Sequence, residues 1–168
     1  MRRTNAAIGS IVFFLLAPGV VAGVIPWWLT GWEVRRSWPG AIRFLGVVLV
    51  AVGAVALWQA FARFVREGFG TPAPVAPTES LVVGGLYRYV RNPMYLAVLA
   101  TIVGQALFFG QPVLFGYAFV VWVAFASFVH FYEEPHLTAR FGESYRAYRE
   151  AVPAWIPRVR RDRHEGTR

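Results

Sequence analysis

Four apolar runs dominate this sequence of 168 residues and limit what it can fold into. They cover 8–29, 44–64, 94–109 and 113–132, and the charged residues cluster between them rather than within them. Because about twenty apolar residues form a helix long enough to cross the hydrocarbon core of a bilayer, each run is predicted to span a membrane. Hydrophobic residues make up 57% of the chain, which is too high for an ordinary soluble domain. The sequence therefore predicts an all-α, polytopic membrane helical bundle with about four transmembrane helices.

The first run has two interpretations. Arg2 and Arg3 form a basic start, and Val20-Val21-Ala22 resembles the cleavage site of a signal peptide. However, apolar sequence continues through Trp27 and Trp28, which suits a spanning helix that ends in an aromatic interfacial belt. We therefore interpret the run as an uncleaved membrane helix.

Arginine placement predicts how the runs are oriented. All 17 basic residues are arginine, and the formal net charge is +8. Three groups of arginines share one side if the chain spans the membrane about four times. They are the N-terminal pair, those around the 67–91 connection (Arg63, Arg66, Arg88 and Arg91) and those in the C-terminal tail. The positive-inside rule makes that side, with both termini, cytoplasmic, although Arg35, Arg36 and Arg43 in the first loop oppose it. Because the arginines flank predicted membrane segments, we expect them to contact anionic lipid headgroups and not nucleic acid.

The third and fourth runs are predicted to form a helical hairpin. Asn92 and Pro93 suit the cap and the first residue of the third helix. Only residues 110–112 separate the two runs, so they are expected to pack as antiparallel neighbours. Their cytoplasmic ends are then adjacent, and this places the start of the third helix beside the end of the fourth.

A polar cluster is expected where these two ends meet. One side has Arg88, Arg91, Asn92 and Tyr95, and the other has Glu133 and Glu134. One interpretation is a set of solvated ion pairs at the membrane surface. The other is a pocket for a small ligand that carries both signs of charge, and the adjacent carboxylates favour it because they repel unless a cation or donor meets them. The chain has no cysteine and its three histidines lack metal-binding spacing, so no metal site is predicted.

The residues after Glu134 predict an amphipathic helix that caps the bundle at the interface. Trp155 follows it and is interpreted as an interfacial anchor. The apolar positions that share one face of this helix are Leu137, Phe141, Tyr145, Tyr148 and Val152.

Two motifs carry a resemblance to a known family. "GLYRYVRNPMY" at 85–95 and "EEPHLTARFGESYRAYREAVPAWIP" at 133–157 lie on either side of the hairpin, and together they resemble the isoprenylcysteine carboxyl methyltransferase and phospholipid methyltransferase superfamily. The resemblance extends over 79–157. It implies an integral membrane enzyme that uses S-adenosylmethionine to methylate a lipid or prenylated acceptor at the cytoplasmic face.

The resemblance also implies an organisation and a set of cofactor contacts. The chain would be a single domain, with two spans in 1–64, the cofactor-binding half in 65–157 and a basic tail in 158–168. Asparagine at position 92 replaces the histidine of the family motif and cannot titrate, which suggests a binding role there. The implied cofactor-binding residues are Glu79, Ser80, Leu81, Val82, Tyr87, Arg91, Asn92, Pro93, Met94, Tyr95, Glu133 and Glu134.

Two departures from the family pattern leave the acceptor open. Val129 occupies the position where the isoprenylcysteine enzymes carry an arginine that meets the substrate, and residues 96–98 lack the glycine pair common in the phospholipid enzymes. A carboxylate acceptor needs no general base, whereas an amine must lose a proton, for which Tyr95, Glu134 and His130 are candidates. A non-catalytic membrane scaffold of the same fold is the alternative. A transporter is disfavoured because the runs contain few polar residues. The sequence does not predict the oligomeric state.

Overall fold

The computed structural model describes residues 17–68 and 81–158, and these residues form helices and loops without a strand. The prediction of an all-α chain is confirmed. The helices are α1 Ala17–Thr30, α2 Gly40–Gly68, α3 Pro93–Phe109, α4 Val113–Phe128, α5 Glu134–Phe141 and α6 Glu143–Ala151. A π-helical turn, Val20–Val24, lies within α1, and a second, Val129–Glu133, joins α4 to α5.

Within the described residues, two helical segments are long and apolar enough to cross a membrane, namely Gly40–Arg63 and Val113–Phe141. The described part of α1 and the 17-residue α3 are apolar but shorter. Residues 8–16 of the first apolar run lie outside the described residues. The presence of membrane-spanning helices thus has support from length and composition, while the number of four spans stays a prediction.

Glycines allow α2 and α3 to pack closely. Gly46 and Gly53 are seven residues apart and therefore lie on one face of α2. A Cβ atom on Gly46 would lie 2.7 Å from the carbonyl oxygen of Gly104, and one on Gly53 would lie 2.8 Å from that of Ala97. Neither position can hold a larger residue unless the two backbones separate, which is the pattern expected of small residues at membrane helix interfaces.

A buried glutamine fastens α1 to α3. Pro26 has no N–H group, so the carbonyl of Ala22, one turn earlier, lacks its usual helical donor. The Gln105 side chain supplies one, since its Nε2 donates to that carbonyl at 2.7 Å, and its Oε1 accepts from Trp32 Nε1 at 3.0 Å. Gln105 therefore has a structural role and does not indicate a transport pathway.

The predicted hairpin of α3 and α4 is present. Gly110 ends α3 with φ at +62°, and a side chain there would meet the carbonyl of Arg36. The core between the two helices includes the fully buried side chains of Ile102 and Leu114. As predicted, the start of α3 and the end of α4 therefore lie at the same end of the bundle.

The prediction of one continuous amphipathic C-terminal helix is wrong at Gly142. This residue has φ +54° and ψ −122°, a conformation open essentially to glycine alone, and it separates α5 from α6. The predicted apolar face persists across the break, because Tyr145 and Val152 are buried. The break turns α6 so that its tyrosines reach the loop ahead of α3.

Candidate functional site

The N-terminus of α3 lies where sequence predicted it, but Asn92 does not cap it with its side chain. The Asn92 backbone carbonyl accepts from Leu96 N–H at 3.2 Å, so Pro93 is the first helical residue. The side-chain Nδ2 of Asn92 instead donates to the carbonyl of Ala154 at 3.1 Å. This buried amide joins the loop ahead of α3 to the segment after α6.

The two adjacent glutamates contact different partners. Glu133 closes the π-helical turn and accepts a hydrogen bond from the Tyr95 hydroxyl at 2.6 Å. Glu134 accepts from Arg91 Nη1 at 2.7 Å. Neighbouring residues on a helix point in different directions, so each carboxylate reaches a different side chain at the start of α3.

Arg91 is the centre of this cluster. Its Nη1 also lies 3.3 Å from the Tyr145 hydroxyl, and its backbone N–H donates to the carbonyl of Pro153 at 2.9 Å. The Arg91 and Glu134 side chains are only 11% and 13% exposed. Arg91 Nε is buried and has no acceptor among the described residues. Trp38 Nε1 and Arg43 Nε are also buried without a partner among the same residues, so the unpaired Arg91 Nε points to a ligand anion only because Arg91 lies in this cluster.

The charge of the cluster is unevenly compensated. Glu134 is paired with Arg91, and Arg149 lies 3.6 Å from its other oxygen. By contrast, no described cation forms an ion pair with Glu133, whose contact is the Tyr95 hydroxyl. One of two neighbouring carboxylates is therefore paired with arginine, and the other contacts a hydroxyl, which leaves it available to a ligand cation.

Two tyrosines join α6 to the loop ahead of α3. The Tyr148 hydroxyl donates to the backbone carbonyl of Tyr87 at 2.7 Å. Burial raises the pKa of the Tyr87 phenol, and the neighbouring Tyr148 and Glu133 raise it further. Burial likewise raises the pKa of Tyr148, against the opposing charge of Arg91. Both phenols therefore stay neutral at physiological pH, and the Tyr148 hydroxyl acts as a hydrogen-bond donor.

The segment from Leu81 to Tyr87 packs against the end of α2. Val82 and Tyr87 are buried in a cluster with Ala60, and Met94 packs against it. Three of the sequence-predicted cofactor residues, Val82, Tyr87 and Met94, therefore belong to one apolar cluster beside the start of α3. Glu79 and Ser80, also predicted, lie outside the described residues.

His130 is not brought into the cluster. Its side chain is exposed, and its ring contacts Phe131 with centroids 4.8 Å apart. Of the three candidate bases, Tyr95 and Glu134 belong to the cluster and His130 does not. Val129, where the resembled family carries an arginine, is buried and contributes no charge.

The structure adds residues that the sequence analysis did not assign to the site. Tyr145 and Tyr148 were interpreted only as an apolar helix face, yet both donate or accept hydrogen bonds here. Trp155 was interpreted as an interfacial anchor, yet its ring lies 6.4 Å from that of Tyr95 and 6.4 Å from that of Trp122. The prolines on either side of Trp155 were the available signal, since they favour an extended segment after α6.

The described residues form a helical protein with segments apolar enough to cross a membrane and with a polar cluster at one end of a tight hairpin. Comparison with known proteins then identifies its family, because the model of the phospholipid methyltransferase family matches residues 41–144. The chain belongs to the phospholipid methyltransferase family, and the resemblance found in its sequence is confirmed.

A curated relative agrees with this assignment. Over 79 residues the chain is 35% identical to the protein-S-isoprenylcysteine O-methyltransferase of Schizosaccharomyces pombe. The matched region is 47% of this chain and 34% of the relative, so the chain spans about a third of the relative's length. No solved structure matches the chain significantly.

Proposed function

We propose that this chain transfers the methyl group of S-adenosylmethionine to a lipid-borne acceptor at the cluster formed by Arg91, Tyr95, Glu133 and Glu134. The family and the name of the relative support methyl transfer. The observation that carries the proposal is the pairing of an uncompensated carboxylate, Glu133, with an unused buried donor, Arg91 Nε. The amino-acid end of S-adenosylmethionine has one ammonium and one carboxylate, so it complements these two groups.

Each residue of the cluster has a role in this proposal. Glu133 binds the ammonium, and Tyr95 holds that carboxylate in place through its 2.6 Å hydrogen bond. Arg91 keeps one side of its guanidinium on Glu134 and offers Nε to the carboxylate. The cofactor supplies an already activated methyl group, so the main task of the protein is alignment, which is worth up to about 7–11 kcal/mol in model reactions.

The segment from α6 onward is suited to excluding water from the cluster. Tyr148 binds the backbone of Tyr87, and Asn92 binds the backbone of Ala154, so this segment is attached to the loop ahead of α3. A water-excluding cover strengthens electrostatic contacts and protects the reacting centre from hydrolysis.

The acceptor is either a carboxylate, which the resemblance to the isoprenylcysteine carboxyl methyltransferases implies, or the amine of a phospholipid. The uncharged Val129 favours the amine. The resembled enzymes place an arginine at this position to meet a carboxylate acceptor, and this chain lacks it. An amine must lose a proton, and among the candidate bases the geometry favours Tyr95, which can accept that proton while passing its own to Glu133. Glu134 is already paired with Arg91, and His130 is exposed elsewhere.

The test is cofactor binding by calorimetry on the full chain purified in detergent. We expect S-adenosylmethionine and S-adenosylhomocysteine to bind with micromolar affinity, and Glu133→Gln to weaken both by about tenfold or more. Glu143→Gln is the matched control, because Glu143 is 86% exposed and lies outside the cluster. Folded wild-type protein that binds neither compound would overturn the proposal. Binding without methyl transfer to any lipid would instead support the scaffold alternative.

A further inference from the structure

The end of the described chain pairs with the loop ahead of α3. The Arg91 N–H donates to the carbonyl of Pro153 at 2.9 Å, and the Arg158 N–H donates to the carbonyl of Tyr89 at 3.0 Å. We name residues 153–158 the C-terminal strap. Because both backbone bonds join it to the loop, the position of the strap is set by the same residues that lead into the site.

Trp155 is the large side chain that the strap turns toward the bundle. Its ring contacts Tyr95 on α3 and Trp122 on α4, with centroids 6.4 Å apart in each case. The next residue, Ile156, is 80% exposed. The side-chain amide of Asn92 binds the Ala154 carbonyl, immediately before Trp155. The strap thus brings one indole to the junction of two antiparallel helices.

The Tyr95 ring has two aromatic neighbours. Phe125 of α4 approaches it with centroids 4.5 Å apart, and Trp155 contacts it at 6.4 Å. A tyrosine ring can move only through rotation of its two side-chain torsions, and flanking rings restrict both. The direction of the hydroxyl, and with it the 2.6 Å contact to Glu133, therefore depends on these neighbours.

We propose that Trp155 is a positioning residue, held by Asn92, that fixes the Tyr95 hydroxyl on Glu133. This inference rests on the proposed function, in which Glu133 binds the methyl donor. It gives Asn92 a role that its family position does not indicate: the side chain anchors the strap. Three hydrogen bonds hold the strap against the loop, so its tryptophan can position the Tyr95 ring, which a flexible tail could not do.

The experiment is a double-mutant cycle read by calorimetric binding of S-adenosylhomocysteine to the full chain. Trp155→Ala and Tyr95→Phe are each expected to weaken binding by about fivefold to tenfold, while the double variant binds no more weakly than Tyr95→Phe alone. Trp155→Phe keeps an aromatic ring in place and should restore affinity to within about twofold of wild type. Trp58→Ala, an exposed tryptophan on α2, is the control and should bind as wild type does.

Additive losses in the cycle, or wild-type affinity in Trp155→Ala, would overturn the positioning role, because a truly coupled pair cannot behave independently. Hydrogen exchange tests the strap without any ligand. Peptides that contain residues 89–92 should exchange at least about fivefold faster in Asn92→Ala than in wild type. Equal exchange in Asn92→Ala and wild type overturns the role of the strap. If folded wild type binds no S-adenosylhomocysteine while the amides of residues 89–92 stay protected, only the proposed function is overturned.

Discussion

The hydroxyl of Tyr95 donates a 2.6 Å hydrogen bond to Oε1 of Glu133 and so links the first turn of α3 to the π-helical turn that follows α4. The neighbouring Glu134 faces Arg91 instead. Two adjacent carboxylates therefore differ in charge compensation, and substitutions at the two positions should have different effects.

Glu134→Gln should destabilise the fold rather than act mainly on ligand affinity. It removes the charge that compensates Arg91 in a largely buried pair, at a cost of about 1–3 kcal/mol of unfolding free energy. Thermal unfolding in detergent measures this, and the exposed Glu143→Gln is the control. A melting temperature equal to that of wild type would show that the pair does not hold α5 and the start of α3 together.

Gln105→Leu should loosen α1. The variant removes the side-chain donor of the Ala22 carbonyl, and an unpaired buried carbonyl costs about 1–3 kcal/mol. It also removes the acceptor of the exposed Trp32 indole. Limited proteolysis should cut near α1 faster than in wild type. The exposed Gln59→Leu on α2 is the matched control and should resist proteolysis as wild type does. Equal cleavage of all three proteins would contradict the role given to Gln105.

Gly53→Ala should push α2 and α3 apart. The new methyl group would lie 2.8 Å from the Ala97 carbonyl oxygen, so we expect a loss of about 1–3 kcal/mol in unfolding free energy. Gly116→Ala is the control, because a methyl group at this position on α4 has no neighbour within 4 Å. That variant should be neutral or slightly stabilised, since alanine favours helix. A stable Gly53→Ala would mean that the two helices are not in close contact.

Stability should fall as pH rises above about 10, the pKa of an exposed tyrosine. Burial raises the pKa of Tyr148 in the folded state, so above that pH the unfolded chain loses a proton that the folded chain keeps. Proton linkage therefore favours unfolding above this pH, and Tyr148 contributes its full stabilisation only below about pH 10. Unfolding free energy measured between pH 8 and 11 should decline less steeply in Tyr148→Phe. An unchanged slope would exclude Tyr148 as a source of the decline.

The apolar runs and the hairpin could be predicted from sequence because their signals are local. Length and hydrophobicity mark the helices, and Asn92-Pro93 marks the start of α3. The short turn at 110–112 then requires Arg91 and Tyr95 to lie near Glu133 and Glu134. The short turn between the two helices is therefore enough to predict the cluster from sequence.

The partners within the cluster could not be predicted in the same way. The π-helical turn rotates the two glutamates about the helix axis and so decides which of them faces Tyr95. The spacing of hydrophobic residues does not reveal this turn. The apolar spacing continues across Gly142, so periodicity alone did not locate the helix break there. Trp155 lies sixty residues from Tyr95 in sequence, and only tertiary packing brings their rings together.

Methyl transfer in membranes tests the central claim most directly. Membranes that contain the full chain are incubated with S-adenosylmethionine labelled in its methyl group, and the extracted lipids are then assayed for the label. We predict labelled lipid with wild type and with Glu143→Gln, and at least about tenfold less with Glu133→Gln. Unlabelled lipid from folded wild-type protein that binds S-adenosylhomocysteine, or equal labelling by Glu133→Gln, would contradict the proposed role of this cluster.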